Sequence, residues 1–299
     1  MSGWGLPCSA NAALKGGTED MPELPEVETV RRGLVPRLVG RRIVRLVQRR
    51  RDLRVPLPAK FAQRVEGRRV LGIDRRAKYL LLRLDDGHTL IAHLGMSGRM
   101  TLHDAASAAE HPFGRHDHVV FETEEGWQVR FNDARRFGLM LLAADEALPR
   151  HKLFKGLGPE PLDDAFDGAA LAIRLKGRRT PIKAALLDQK TLVGVGNIYA
   201  CEALFLAGIS PRRSAHTVQG ERAQRLVDAI KQVLLRSIDD GGSTLRDHVQ
   251  PGGELGYFQT RFNVYDRQGA VCPTRGCGKV VRRLVQSGRS TFYCTHCQR

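Results

Sequence analysis

Acidic residues are scarce in this chain: 32 Asp and Glu stand against 48 Lys and Arg in 299 residues, a formal charge of +16 with histidine neutral. That imbalance favours a polyanionic partner, nucleic acid ahead of an anionic membrane surface. Also missing is any run of about 18 apolar residues, which excludes a spanning helix. The first residues lack the basic-then-apolar pattern of a secretory signal, and no segment recurs at solenoid spacing. Cysteine is nearly absent before the C-terminal end: Cys8 and Cys201 stand alone, and Cys272, Cys277, Cys294 and Cys297 fall together. A chain so built is not a disulfide framework, and a cytosolic setting is expected. What remains is an ordinary globular composition, 42% hydrophobic and 27% charged, at a length that suits one large domain or two to three smaller ones.

The positive charge is unevenly spread. Residues 261 to 299 carry eight basic side chains and one acid, Asp266. A second run, from Arg41 to Arg54, holds seven arginines against Asp52. Either run alone reads as a solvated face. Residues 1–20 show no sustained period and read as a loose tail. From Pro22 the pattern becomes helical: Pro25 suits a first turn, Glu26 favours the positive end, and Val27, Val30 and Leu34 repeat at helical spacing. From about Arg41 to Ala144 short aliphatic and β-branched runs alternate with turns such as Asp86-Gly87 and Glu125-Gly126, which predicts an antiparallel sheet pair or flattened barrel. After Pro149 helices follow: one around Ile182, Ala185 and Leu186, one from Ile198 to Ala207 with Asn197 as N-cap, and a long one through Ala223, Leu226, Val227, Ile230, Val233 and Leu234. Ser243-Thr244 with Asp247 is read as the cap of a fourth.

Three constellations carry chemistry. Cys272-x4-Cys277-x16-Cys294-x2-Cys297 offers four thiolates as two knuckles joined by a hairpin-sized insert, the arrangement a closed tetrahedral zinc site needs. With four sulfurs available His296 is read as surface, and the metal as structural. The turn Gly194-Val195-Gly196-Asn197 precedes a helix, where free N–H groups and the helix dipole suit a phosphate, although an ordinary helix–helix turn explains the glycines equally well. His93-Leu94-Gly95-Met96-Ser97-Gly98 and Asn132-Asp133-Ala134-Arg135-Arg136-Phe137-Gly138 are turns after strands. On their own Met96 and Phe137 read as core residues; the sharper reading is a wedge beside Arg that enters a base stack.

Together with MPELPEVETVRRGL from Met21, RRAKY from Arg75, HLGMSG, HDHV, ARRFG, GPEPL, GVGNIYACEALF, GYFQ and the four cysteines, these segments resemble, in order over residues 21 to 299, the formamidopyrimidine-DNA glycosylase family. The resemblance implies an α+β multidomain fold: an N-terminal antiparallel β-sandwich with flanking helices (22–150), a linker and helix-two-turn-helix DNA-binding domain (151–260) and a four-cysteine zinc-finger hairpin (261–299). It also implies a monomeric enzyme of the bacterial cytoplasm and nucleoid, acting on damaged duplex DNA with one structural zinc ion, no small-molecule cofactor and no membrane. By the same carry-over Pro22 is the nucleophile, Glu23 the general acid/base, Lys78 the proton donor in β-elimination and Arg289 the δ-elimination residue. His116, Arg135 and Arg179 match DNA contacts, with Lys183 and Asn197 on the phosphate side, and Met96, Arg135 and Phe137 match the trio that fills the gap left by an extruded base. Glu202 is left as a lesion-side or structural residue, and residues 241–258 resemble a lid over that base.

The chain departs from the family pattern twice. Four residues rather than two separate the first cysteine pair, a spacing that still presents two thiolates. More seriously, residues 1–20 and Met21 precede Pro22, and a proline inside a chain has no nucleophilic nitrogen. Translation is therefore expected to start at Met21, with the upstream segment not part of the native protein and Met21 removed. The alternatives are a sister enzyme of the endonuclease VIII type, acting on oxidised pyrimidines, and a non-catalytic zinc-finger DNA-binding protein in which Pro22 is never freed. ELPEVE and ARRFG favour the purine enzyme.

Overall fold

The computed structural model describes residues 21–243, 251–252 and 256–299. The N-terminal tail, most of the expected lid and the cap expected at Thr244 and Asp247 lie outside the described residues. The first element is helix α1 (Leu24–Leu38). Its third residue, Glu26, reaches back so that its Oε2 accepts the Glu23 N–H at 2.9 Å, half of a capping box that satisfies an otherwise orphaned donor. The buried stripe of α1 is shared between two cores. Leu24 packs into the helical half, whereas Val27, Val30, Leu34 and Leu38 pack into the β half.

The β half continues with β1 (Ile43–Gln48), a short α2 (Phe61–Val65), β2 (Val70–Arg76), β3 (Tyr79–Leu84), β4 (His88–His93), β5 (Arg99–His103), α3 (Ala105–Glu110), β6 (Asp117–Thr123), β7 (Gln128–Asn132) and β8 (Leu139–Ala144). Two four-stranded antiparallel sheets result, ordered β1-β6-β7-β5 and β2-β3-β4-β8. Leu46, Phe121 and Phe131 of the first share one core with Ile73, Leu80 and Leu90 of the second. This is the sandwich the alternating runs predict, since sheets with one apolar face must bury it against each other. Strand β8, Leu-Met-Leu-Leu-Ala-Ala, closes the stretch expected to be β although it has neither alternation nor β-branching of its own; it pairs along the whole of β4.

The helical half comprises α4 (Gly168–Leu175), α5 (Ile182–Leu187), α6 (Asn197–Leu206) and the amphipathic α7 (Gly220–Asp239). Their core also takes in Tyr265, Val281 and Phe292 of the C-terminal module. An aromatic series carries the contact: Tyr199 stacks on Phe258, and Phe258, Phe262, Tyr265 and Phe292 follow edge to face at 5.1–5.6 Å. The module ends in the hairpin β9 (Arg282–Gln286) and β10 (Arg289–Tyr293). No described helix is long and apolar enough to cross a membrane.

Candidate active site

The N-terminus of α1 lies at the seam between the two halves. Pro22 and Glu23 are both buried there. The Leu24 N–H donates to Gly194 O at 3.0 Å, and the Glu23 carboxylate accepts from the backbone N–H groups of Gly196 at 2.6 Å and Ile198 at 3.0 Å. A carboxylate brought from the far end of the chain thus caps α6 and meets the positive end of its dipole. Two sequence expectations are corrected by this. Asn197 is the first helical residue and Gly196 occupies the cap position. The two N–H groups expected to hold a phosphate are taken by Glu23. Glycine is required because a Cβ at position 196 would collide with the Glu23 carboxyl carbon.

Glu26 is the second buried carboxylate at this seam. Besides the Glu23 N–H, it accepts from the Tyr199 hydroxyl at 2.5 Å and the Ser243 N–H at 2.9 Å. Burial, with Glu26 and Glu23 close by, holds the Tyr199 phenol well above its ordinary pKa, so it stays protonated and donates. The seam therefore ties α1, α6 and the start of the glycine-rich segment to one side chain.

Lys78 lies in the two-residue turn of the β2–β3 hairpin, just before β3, and is 8% exposed. Its turn is held by Glu160 of the GPEPL segment: Oε1 accepts from Ala77 N at 2.7 Å and Arg76 Nη1 at 2.8 Å, and Oε2 from Arg75 Nη1 at 2.7 Å. Arg75 Nε also reaches Glu28 of α1 at 3.3 Å. Burial raises the Glu28 pKa, but Arg31, Arg32 and Arg75 together outweigh it and the net shift is downward. The hairpin is thereby fastened both to the linker and to the helix that follows the nucleophile candidate. Beside Lys78, Tyr79 pairs across the sheet with His93, ring centroids 4.8 Å apart. Burial, then the charges of Lys78 and Arg54, push the His93 pKa down to about 4. Neutral His93 accepts the Gly95 N–H at Nδ1, 2.9 Å, which opens the HLGMSG turn.

The two wedge-like turns are joined through Asp133. Its Oδ1 accepts from Ser97 Oγ at 2.6 Å and Arg136 N at 3.1 Å, and its Oδ2 from Gly138 N at 2.8 Å; Ser97 Oγ in turn accepts the Arg135 N–H at 3.0 Å. Gly95 has a φ of +69° and no room for a side chain against the Phe137 carbonyl. Met96 is half-buried, Arg135 is exposed, and Phe137 is 41% exposed with the Arg135 guanidinium 4.8 Å from its ring centroid. Neither Met96 nor Phe137 is a core residue, so the bland reading of these turns fails.

His116 is half-buried beside His118, and Arg179 is exposed before α5. The expected phosphate-side pair does not face solvent. Lys183 is 0% exposed, and its Nζ donates to Ser290 O at 2.8 Å and Thr291 Oγ1 at 2.7 Å; Asn197 is 2% exposed and its Nδ2 donates to the Tyr265 hydroxyl at 3.2 Å. Both bind the helical half to the C-terminal module. Glu202 is structural: its buried carboxylate accepts the N–H groups of Asn263, Val264 and Tyr265. Glu160 and Asp133 escaped the sequence reading, although GPEPL and NDARRFG contain them. The only signal for them there is an acid in a tight turn, which is common in any protein.

The four cysteine sulfurs lie within 4.8 Å of one another, with Cys272–Cys297, Cys277–Cys294 and Cys277–Cys297 at 3.8, 3.6 and 3.5 Å. Tetrahedral Zn–S bonds of about 2.3 Å place sulfurs about 3.8 Å apart, so the donor set fits one structural zinc ion. His296 is exposed and outside the cluster. Arg289, first residue of β10, is exposed at the hairpin tip next to the Lys183 anchor at Ser290.

Comparisons with known proteins agree with this architecture in all three parts. Residues 21–140 match the formamidopyrimidine-DNA glycosylase N-terminal domain, 157–249 its H2TH domain, and 269–299 the zinc finger found in FPG and IleRS. The formamidopyrimidine-DNA glycosylase of Dinoroseobacter shibae is 57% identical over 284 residues, covering 93% of this chain and all of that protein. Among solved structures, the MutM (Fpg) protein of Thermus thermophilus is 42% identical with a TM-score of 0.80, covering 93% of this chain and 98% of that one. The Lactococcus lactis Fpg in complex with abasic-site DNA is 33% identical with a TM-score of 0.81, covering 93% and 99%. With its sandwich, two-turn helical domain and four-sulfur site all matched, the chain belongs to the formamidopyrimidine-DNA glycosylase family.

Proposed function

We propose that this chain is a bifunctional DNA glycosylase and AP lyase of base excision repair, working as a monomer in the bacterial cytoplasm and nucleoid on 8-oxoguanine and formamidopyrimidines in duplex DNA. The observation that carries the reading is the α1 N-terminus: Pro22 is buried at the domain seam beside a carboxylate fixed by two backbone N–H groups. The functional units are residues 22–150, 151–260 and 261–299, and the mature chain starts at Pro22. Support for that start comes from the N-terminal match, which begins at residue 21.

A terminal secondary amine titrates near pH 8, against about 10.4 for lysine, so a neutral fraction is present at physiological pH. Its nitrogen bonds to C1′ of the damaged nucleotide while the bond from C1′ to the base breaks, and the base departs with a proton. Opening of the sugar ring, with a proton delivered to O4′ through Glu23, leaves an iminium cation that draws electrons for the following eliminations. Loss of the C2′ proton and cleavage of the C3′–O bond completes β-elimination, with Lys78 as proton donor. A second elimination removes the C4′ proton as the C5′–O bond breaks, with Arg289 at the departing phosphate. Met96, Arg135 and Phe137 fill the vacated stack, Arg135 offering a planar fork to the orphaned cytosine. His116 and Arg179 hold phosphates; zinc, held by the four cysteines, keeps the hairpin folded.

Borohydride trapping tests the reading. Protein beginning at Pro22 is expected to form a covalent adduct with an 8-oxoguanine:C duplex, and protein retaining residues 1–21 is not. Absence of an adduct from the Pro22 form overturns the enzyme reading, and preferential excision of thymine glycol would move the chain to the pyrimidine sister group. Intact mass of the native protein reports the start directly.

A further inference from the structure

Two arginine-rich surfaces stand out, and in each only some of the guanidinium groups have an anionic partner. In the run from Arg41 to Arg54, Arg41 pairs with Glu125 at 3.0 Å, Arg45 with Glu122 at 3.7 Å and Arg50 with Asp52 at 3.4 Å. The second surface lies where residues 210–217 cross residues 178–182. Backbone bonds from His216 N to Arg178 O, Ala215 N to Thr180 O and Ile182 N to Arg213 O, at 2.7–2.9 Å, fix the two stretches side by side. Arg178 there is paired with Asp188 at 2.8 Å. Among the described residues, no acidic side chain lies within ion-pair distance of Arg179 or Arg212, whereas Arg213 donates its Nε to the terminal carboxylate oxygen of Arg299 at 3.3 Å.

Arg212 and Arg213 line a concavity of about 480 Å³ with Ser210, Ser214 and Thr217, a lining of hydroxyls and guanidinium groups with no acidic side chain. It adjoins the zinc hairpin: Gln286, cross-strand partner of Arg289, donates its Nε2 to Pro211 O at 3.2 Å. A guanidinium without a carboxylate, Arg212, on a hydrogen-bonded backbone and beside hydroxyls is the chemistry of a phosphodiester contact. We infer that the Arg212–Arg213 concavity is an additional phosphate site, extending the DNA footprint beyond Arg179 and Arg289 along the duplex backbone. The inference rests on the DNA-glycosylase reading. Its action is electrostatic and not chemical, so Arg212 contributes to binding and to no bond-making step.

The test is the salt dependence of binding to a duplex carrying a tetrahydrofuran abasic analogue, measured with zinc-loaded protein beginning at Pro22. Each phosphate neutralised contributes about −0.9 to the slope of log K against log salt. Arg212→Gln is expected to make the slope shallower by about 1, Arg212→Lys to keep it, and Arg45→Gln, from the paired run, to change it by less than about half as much. Zinc content and melting temperature equal to wild type show that Arg212→Gln is folded. A slope unchanged in Arg212→Gln overturns the inference. So does a result in which inorganic phosphate raises the melting temperature of wild type but not of Arg212→Gln while the DNA slope stays the same, since the site would then serve a free anion. Borohydride trapping of wild type at low salt on a short duplex is the separate control: absence of an adduct from wild type itself would fault the glycosylase reading instead.

Discussion

Two hairpins each present one cation, Lys78 from β2–β3 and Arg289 from β9–β10, and they are held in opposite ways. The first belongs to a large sandwich core. It needs only orientation, which comes from a partly buried carboxylate of another segment: Glu160 grips Arg75, Arg76 and the Ala77 N–H. The second belongs to a short module that cannot bury enough apolar surface to fold alone. A metal site closes its base, and Lys183 with the aromatic series fastens it to the helical core. Lys78 is accordingly almost buried, while Arg289 is exposed at a tip. Position within a core can be tuned by ion pairs; position outside one has to be made by a stronger bond.

The largest expected effect comes from breaking the metal side of this contrast. Cys294→Ser, or chelation of zinc, should unfold residues 261–299 selectively, because metal binding in such modules is folding free energy, about 10–16 kcal/mol in isolated zinc-finger peptides. Hydrogen exchange checks this: protection should vanish in β9 and β10 and persist in β3 and β4, with DNA affinity at least about 100-fold weaker. Equal loss of protection in the sandwich would show that the two hairpins are not independently held.

Acid should act on the sandwich side through His93. Its pKa is about 4 in the folded protein against 6.5 when free, so between these values the unfolded chain binds more protons. Stability from this group is therefore complete above about pH 6.5, falls as the pH drops toward 4, and loses nothing further below; the full span is about 3 kcal/mol. Urea unfolding across pH 4–7 should show a shallower dependence for His93→Gln than for wild type, and identical slopes would reject the assignment.

Glu160→Gln should cost about 1–2 kcal/mol, below the range for a fully buried pair because the carboxylate is partly exposed. Adduct formation should slow with zinc content unchanged, a separation that a general loss of folding would not give. The smallest effect is expected for Lys183→Met, which keeps the packing but leaves Ser290 O and Thr291 Oγ1 without that donor. A loss of about 1 kcal/mol is expected, seen as faster exchange in β10 while trapping through Pro22 is retained.

Local pattern made much of this protein legible. The period of 3.6 in α1 and α7, the alternating β runs and the spacing of four cysteines each appear within a few turns of chain, and each survives in the structure. Strand β8 falls inside the stretch read as β, but its place was not legible, because nothing in its apolar run says that β4 is its partner. Asn197 as N-cap was misread for a related reason: a good capping residue stands at the start of α6, but Glu23 arrives from 173 residues away and takes the donors.

By itself, then, the sequence determined the order of a β half, a helical half and a cysteine-rich end, the polyanion preference and the four zinc ligands, since all of these are set by residue type and short spacing; Pro22 as nucleophile came only from the family resemblance. Only the tertiary structure decided which charges are used up. It turned Lys183 and Asn197 inward, paired three of the seven arginines of the Arg41–Arg54 run with acids, left Arg212 without a carboxylate, and made Glu160 and Asp133 the supports of the two loops they touch. The reason is physical: a charge acquires its role from the partners and burial that distant segments bring to it, and those meet only when the chain has folded.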